Sequence, residues 1–299
     1  MNSYSVVVIA QNEESNIAFC LRPVLRFSDD VWVVDSFSTD GTVEIGRTLG
    51  ARVVQHEFEG WAEQRNYALD RLPLKYDYVL FLDADEQIDE RFDSQLTAAI
   101  ASGRYAAFNL KTSNYFLGRH IKFAQDISWI TKVVRRGAGR WHSEGAREYC
   151  VVNGPVGEVP ATIRHEDRKG IFFWVIKQIR NAEREARLLS GQSAQLDLRQ
   201  FSSGQTLERP QRVWLRRVYN TLPPVVRPFL VFIYRYFFRL GFLDGIPGLI
   251  YCLLHGFWYN LIIDARLLEM PLGHECYLPV YGGEKANRPG AGPCEGGLN

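Results

Sequence analysis

The chain has 299 residues, of which 46% are hydrophobic and 13% aromatic, with a formal net charge of +1. This is the composition of one large globular domain or two, and it excludes a chain drawn to nucleic acid by a global positive field. Cys20, Cys150, Cys252, Cys276 and Cys294 are scattered without a C-x-x-C, and the first residues show no basic-then-apolar leader, so neither a disulfide framework nor a zinc site is expected and the reading places the protein in the cytoplasm.

Tyr4 to Ala10 reads as a buried strand. Ile17, Cys20, Leu21, Val24 and Leu25 then recur at helical spacing. A second strand over Val31 to Val34 ends at Asp35, and Ser36 to Thr42 is a turn in which Asp40 caps the short helix from Val43 to Leu49, closed by Gly50. Arg52 to Gln55 is a third strand, Gly60 to Leu72 a helix and Tyr78 to Leu82 a fourth strand. Strands alternating with helices at this spacing predict a doubly wound, mostly parallel α/β sheet.

The ends of three of these strands carry acids: Glu13, Asp35, and Asp83 with Asp85 and Glu86. In an open α/β sheet ligands bind at the carboxyl ends of the strands. Two carboxylates one residue apart can share a divalent ion with substrate phosphates. The plain alternative is an acidic helix start, since Asp89 and Glu90 follow. No G-x-G-x-x-G or G-x-x-x-x-G-K-[ST] is present, so any phosphate is expected to be met through a metal and not through a glycine-rich loop.

The order Val8-Ile9-Ala10-Gln11-Asn12-Glu13-Glu14, Val33 to Thr42 and Asp83-Ala84-Asp85-Glu86 resembles the family-2 inverting glycosyltransferases of the GT-A fold. Phe58 to Leu69, Asn114 to Arg119 and Leu240 to Leu249 resemble the lipopolysaccharide-core β-glucosyltransferase branch. The resemblance covers roughly residues 4 to 270. It implies a nucleotide-sugar donor, a UDP-sugar first, with Asn12, Glu13 and Asp35 around base and ribose, Asp83 near ribose and metal, Asp85 as direct ligand of Mg²⁺ or Mn²⁺, and Arg65 pointing at the nucleotide. The plain alternative for Arg65 is a surface charge pairing with Asp70 or Glu63.

Inverting transfer needs one general base on the acceptor side of the sugar. Lys132 to Trp141 resembles the family's strand and basic turn, and the family's Val-His-Glu, whose Glu is the base, falls here at Ala146-Arg147-Glu148. Glu148 is therefore the first candidate, Glu144 the second and Asp126 the third, each with a loop salt bridge as its plain alternative. Arg147 replaces the family's His, and an adjacent Arg lowers a carboxylate's basicity. His165, in a turn before the next helix, is a possible metal ligand. Asn109 to Asp126 is expected to be a loop that sets donor selectivity.

Phe172 to Ser190 reads as a helix with an apolar stripe through Trp174, Ile176, Ile179, Ala182, Ala186 and Leu189, its mixed charges (Glu183 among them) forming a solvated face. Composition then changes: Arg209, Arg212, Arg216, Arg217, Arg227, Arg235 and Arg239 occur with no intervening Asp or Glu. Gln211 to Thr221 is a basic amphipathic helix, and Phe229 to Leu240 interleaves aromatics with arginine, which suits an anionic membrane interface. Ile246 to Ile263 is the most apolar stretch and barely reaches the ~20 residues of a spanning helix, so interfacial or re-entrant helices are expected ahead of a true span.

The expected organisation is a GT-A α/β domain over residues 1–204, a helical membrane-docking module over 205–281 and a disordered Gly/Pro-rich tail over 282–299. The expected function is metal-dependent inverting hexose transfer to a glycolipid, a lipopolysaccharide core or another cell-surface polysaccharide. The enzyme would be peripheral on the inner face of the cytoplasmic membrane, docked through residues 209–270, with no nucleic-acid partner. The rivals are a nucleotidyltransferase, which would need a Gly-rich basic loop after the first strand, and a catalytically inactive scaffold, favoured only by the replaced His.

Overall fold

The computed structural model describes residues 3–125, 129–144, 147–190 and 222–273. β1 (Tyr4–Ala10) is buried at every position, as an unbroken apolar run requires. β2 (Val31–Asp35) pairs with it on one side, β3 (Arg52–Gln55) lies beyond β2, and β4 (Tyr78–Asp83) pairs on the other side, all parallel. Side chains alternate across this sheet: Tyr4, Val6, Val8 and Ala10 enter one apolar layer, while Val7 enters the other with Val34, Val79 and Phe81.

The connections are α1 (Ile17–Phe27), α2 (Thr42–Thr48) and α3 (Trp61–Arg71). α1 buries Ile17, Cys20, Leu21 and Val24, the stripe seen in its sequence. Pro23 lies inside this helix and cannot donate to the carbonyl of Phe19. Gln87 Nε2 donates to that carbonyl instead, at 3.3 Å. The proline thereby ties α1 to the segment just after the paired aspartates, β5 (Glu86–Gln87). Asp40 accepts from Thr42 N at the start of α2, as expected.

The rest of the sheet is mixed. After α4 (Glu90–Ala101) come β6 (Ala107–Phe116), β7 (Arg119–His120), β8 (Trp129–Arg135), the separate hairpin of β9 (Gly139–Glu144) and β10 (Arg147–Val152), and β11 (Val156–His165). The sheet order is β3-β2-β1-β4-β8-β6-β11-β5, with β7 hydrogen-bonded to β6. β8 is antiparallel to both neighbours, and β11 runs parallel to β6. The expected loop from Asn109 to Asp126 is corrected here: its first half is β6, a central strand whose Phe108 and Leu110 are fully buried. Its polar side chains obscure the pattern: Thr112 and Asn114 line a cavity, and Asn109 accepts from Thr131 on β8.

α5 (Gly170–Leu189) follows β11. Its expected solvated face also needs correction, because Glu183 is buried and accepts from Arg187 Nε and Arg266 Nε, each at 2.7 Å. The helical region continues with α6 (Val226–Ile233) and a π-helical stretch, Tyr234–Phe238. After the 3-10 turn Gly241–Asp244 come α7 (Gly245–Tyr251), a π-helical stretch Cys252–Trp258 and α8 (Tyr259–Glu269). The run Gly241–Leu272, 32 residues, is by length and composition apolar enough to cross a membrane. Its polar residues tie it to the fold: Arg266 reaches Glu183 on α5, and Asp264 accepts from Arg227 Nε at 2.9 Å.

Asp244 joins this region to the sheet. Its carboxylate accepts from three successive backbone N–H groups, Lys122 at 3.1 Å, Phe123 at 2.9 Å and Ala124 at 2.9 Å. Gly248 sits one turn on, where a Cβ would lie 2.4 Å from the Cβ of Asp244 and 2.6 Å from the carbonyl oxygen of Gly241. The glycine lets the helix close over the aspartate. The expected boundary near residue 204, the basic helix over 211–221 and the disordered tail lie outside the described residues.

Candidate active site

Four strands and two helices meet at the carboxyl ends of the parallel strands. β4 ends at Asp83, Asp85 and Glu86 follow, and β8 brings Lys132 alongside. β11 ends at His165, β10 carries Glu148, α3 carries Arg65 and α5 carries Lys177. All of these, with Glu13, line one cavity of about 480 Å³.

Charge is balanced inside this cluster. Arg65 Nη2 lies 3.0 Å from Asp83 Oδ1, and Lys132 Nζ lies 2.8 Å from both Asp83 Oδ2 and Glu86 Oε2. Burial penalises the Asp83 carboxylate, but Lys132 and Arg65 outweigh it and hold its pKa down at about 2. Glu86, buried more deeply, is shifted upward despite Lys132. Asp85 faces His165 Nε2 at 3.2 Å and Lys177 Nζ at 3.7 Å. Burial disfavours the imidazolium, yet Asp85 raises the His165 pKa to about 9, so the two form an ion pair.

Arg65 is buried, and neither Asp70 nor Glu63 is its partner: Asp70 binds Arg140 Nη1 at 2.7 Å, while Arg65 Nη1 binds Glu148 Oε2. Its neighbours in sequence hold it in place. Gln64 Nε2 donates to Ser36 Oγ at 3.0 Å, and Asn66 exchanges two hydrogen bonds with the backbone of Trp141, at 2.9 and 3.0 Å. The Trp141 ring lies 4.8 Å from the Arg65 guanidinium.

Glu148 has one oxygen on Arg65 and the other, Oε1, buried without a hydrogen-bond partner among the described residues. Burial raises its pKa, and Arg65 offsets that only in part. Arg65 Nε, Thr112 Oγ1, Gln125 Oε1 and Trp141 Nε1 are likewise buried and unpartnered. All five residues line the same cavity. Unsatisfied buried polar atoms are rare in folded proteins, and a cluster of them around one space marks a site for a polar ligand.

The other candidates fall as follows. Glu13 lines the cavity, accepts from Lys169 Nζ at 2.5 Å and is shifted upward by burial. Asn12 and Asp35 stand apart from the cavity lining: Asn12 Oδ1 accepts from Thr39 N at 2.8 Å, and Asp35 is fully buried, accepting from Ser38 N at 2.9 Å and Gln55 Nε2 at 3.1 Å. The two shape the turn between β2 and α2. Asp126 and the side chain of Glu144 lie outside what is described.

Among the described residues no three His, Cys, Asp or Glu side chains are grouped to hold a metal. Asp83 is already engaged by two cations. The donor set that would fit a divalent ion is Asp85 with His165, one carboxylate and one imidazole, once the ion displaces the proton that His165 holds against Asp85; the remaining positions would fall to diphosphate and water.

The sequence marks Glu86 among the acids at the end of β4 but does not mark Lys132 or Lys177 as ligand-facing groups. The available signal for Lys132 is a cation in the middle of β8, next to Val133 and Val134, and for Lys177 its position on α5 one turn from Trp174.

Residues 5–150 match the family model described as "Glycosyl transferase family 2". An uncharacterized glycosyltransferase of Rickettsia typhi is 36% identical over 114 residues, 37% of this chain and 38% of that protein. A Rickettsia prowazekii protein of the same description is 34% identical over the same shares. The chain thus matches under two fifths of the length of these relatives. Among solved structures, glucosyl-3-phosphoglycerate synthase from Mycobacterium tuberculosis with Mn²⁺, UDP and glucosyl-3-phosphoglycerate overlaps with a TM-score of 0.40 at 18% identity, covering 63% of this chain and 79% of that one. S. aureus TarS 1–349 gives 0.40 at 18%, covering 96% and 98%. At these values the overlaps are likenesses and carry no inference about substrate. The segment that matches this family model, residues 5–150, is an α/β unit with acids at the carboxyl ends of parallel strands, and a helical C-terminal region is docked beside it.

Proposed function

We propose that the protein is an inverting, metal-assisted hexosyltransferase that moves a sugar from a nucleotide donor, a UDP-sugar first, to a lipid-linked or lipopolysaccharide-core glycan at the inner face of the cytoplasmic membrane. The observation that carries the reading is Glu148: one oxygen is anchored by Arg65 while the other lies buried, unpartnered and against the cavity. A carboxylate so held, with its pKa raised by burial, is suited to take a proton near neutral pH.

In the reaction the acceptor hydroxyl oxygen bonds to the anomeric carbon from the face opposite the leaving group. The bond from that carbon to the β-phosphate oxygen breaks and its electron pair stays on the nucleoside diphosphate. The hydroxyl proton passes to Glu148 Oε1. Lys177, half-exposed in the cavity wall, meets the growing negative charge, while Arg65 holds Glu148 in place. A divalent ion on Asp85 and His165, when bound, supplies further neutralisation of the diphosphate. Asn12 and Asp35 act by shaping the β2–α2 turn that receives the nucleoside, and Glu13 closes its side of the cavity through Lys169.

Membrane docking is supported by the C-terminal surface. Phe229, Tyr234, Phe237, Phe238 and Ile246 are exposed, Phe238 at 76% and Ile246 at 74%. Arg239 reaches inward to the Gln125 carbonyl at 3.2 Å. An aromatic face on helices whose polar groups are engaged by the domain favours lying on the membrane over spanning it.

The test is nucleotide release from UDP-, GDP- and dTDP-sugars with and without Mn²⁺, on wild type, Asp85→Ala and Glu148→Gln. The expected result is slow release from one donor class, loss with Asp85→Ala, and a drop of about 10²–10⁴-fold in acceptor-dependent turnover with Glu148→Gln. Turnover by Glu148→Gln at the wild-type rate removes Glu148 as the base, and a wild type that neither binds nor turns over any donor removes the transferase reading.

A further inference from the structure

A second cavity, about 490 Å³, lies between the end of β6, the start of α5 and the C-terminal helices. It shares Asn114, Gln125 and His165 with the cavity that Glu148 lines, so the two meet along a common wall. Its volume is that of a small-ligand site.

One side is aromatic. Trp174 packs edge-on to Phe116 at 5.4 Å, and Tyr251 packs edge-on to Phe116 at 5.5 Å. The ring of His255 stacks between Tyr251, at 5.1 Å and 12°, and Tyr259, at 5.4 Å and 22°. Arg235 Nη1 lies 2.9 Å from His255 Nδ1. A guanidinium can only donate, so Nδ1 accepts and the ring proton sits on Nε2. Burial, reinforced by Arg235, lowers the His255 pKa to about 3, so the ring stays neutral. The other side is polar, with Gln178, Glu166, Asp167 and Arg168. Arg168 lies 3.8 Å from Glu166, and Arg164 lies 2.7 Å from the same carboxylate. The charges on this side cancel, Glu166 and Asp167 against Arg168 and the His165 imidazolium, so the lining carries no excess charge to select an ion over a neutral ligand.

We propose that this cavity is the acceptor subsite and that it takes an uncharged pyranose, the terminal sugar of the acceptor glycan, with its C–H face on Trp174 and Tyr251 and its hydroxyls on His255 Nε2–H and Gln178. The proposal rests on the transferase reading for its role, but the binding claim stands on the cavity alone. Aromatic faces cover the apolar side of a sugar ring, and a few fixed polar groups set its orientation. A neutral histidine locked in one tautomer is such a group. The shared wall brings a hydroxyl of the bound sugar beside the cavity where Oε1 of Glu148 is free. The helices that supply Tyr251 and His255 are those held to the sheet by Asp244, so the helical region is part of the acceptor site as well as a docking surface.

Saturation-transfer NMR on the full chain with UDP present tests this. The probes are methyl glycosides of glucose, galactose and mannose, with glucuronic acid and glucose 1-phosphate as anionic counterparts. Two variants are compared: His255→Phe, which keeps the stacked ring and removes the donor, and Gln178→Leu. The expected result is that at least one neutral glycoside binds, more tightly than its anionic counterpart, and that each variant weakens it by five-fold or more while moving the Kd for UDP by less than two-fold. No binding by any neutral glycoside overturns the proposal, as does binding equally tight in both variants. Glycoside binding without any donor binding retains the cavity as a saccharide site and rejects the transferase reading; donor turnover without glycoside binding does the reverse.

Discussion

Replacing Lys132 by Met tests how three carboxylates are tolerated at one strand end. Lys132 is buried, and Met nearly conserves its volume, so the change removes a charge and little packing. Glu86 then remains, 3% exposed at its side chain, without its cation. Removing one partner of a buried ion pair costs about 3–5 kcal/mol. Asp83 is 36% exposed and keeps Arg65, so water screens its share and most of the loss belongs to Glu86. Protonation limits that loss. Neutralising a carboxyl roughly three pH units above its ordinary pKa costs about 4 kcal/mol, at about 1.4 kcal/mol per unit. The folded variant then holds a proton that the unfolded chain releases. Its stability relative to wild type therefore falls as pH rises above about 5, by up to about 1.4 kcal/mol per unit. Urea unfolding at pH 5.5 and 7.5 measures this on wild type, Lys132→Met, Glu86→Gln and the double variant. The double variant recovers most of the loss at pH 7.5. A loss under about 1 kcal/mol at pH 7.5, or one independent of both pH and Glu86, refutes the reasoning.

Three further predictions concern the helical region. Asp244→Ala leaves the amides of Lys122, Phe123 and Ala124 without their acceptor; at about 1–3 kcal/mol for each buried group left unpaired, a loss of at least about 2 kcal/mol is expected, with faster hydrogen exchange confined first to residues 121–125. Unchanged exchange there would show that the carboxylate is not the latch. Burial opposes ionisation of Glu183, but Arg266 and Arg187 outweigh it and lower its pKa, so the unfolded chain binds the proton first: this pair's contribution is present above pH about 4.5 and is lost as pH falls through the lower folded value. Acid unfolding of Glu183→Gln against wild type, in which the difference must shrink towards low pH, checks the sign. Phe237→Asp with Phe238→Asp is expected to reduce binding to anionic phospholipid vesicles by ten-fold or more in a sedimentation assay without changing the melting temperature by more than a few degrees, since both side chains are exposed. Equal vesicle binding would move the docking surface elsewhere.

The local elements were legible because they are written in short-range periodicity. β1, β2, β4 and α1 follow from apolar runs and a four-residue stripe, and the acids at the strand ends follow from where those runs stop. The resemblance selected Glu148 and Arg65, but nothing in their sequence neighbourhoods states that 83 positions of chain close to bring them into contact. Tertiary structure decided the partners. Lys132 looked like one residue in a strand until antiparallel pairing of β8 with β4 set it against Asp83 and Glu86. β6 reads as loop because it is polar along half its length, and periodicity cannot tell side chains that line a cavity, such as Thr112 and Asn114, from side chains in solvent. Asp35, an acid at a strand end like Asp83, turned into its own loop because Ser38 and Gln55 were near enough to satisfy it. What sequence alone determines here is which residues must be buried and which must carry charge. Which charge meets which is settled only when strands far apart in the chain are aligned, because the energy of a buried ion depends on the few ångströms around it and not on its neighbours in sequence.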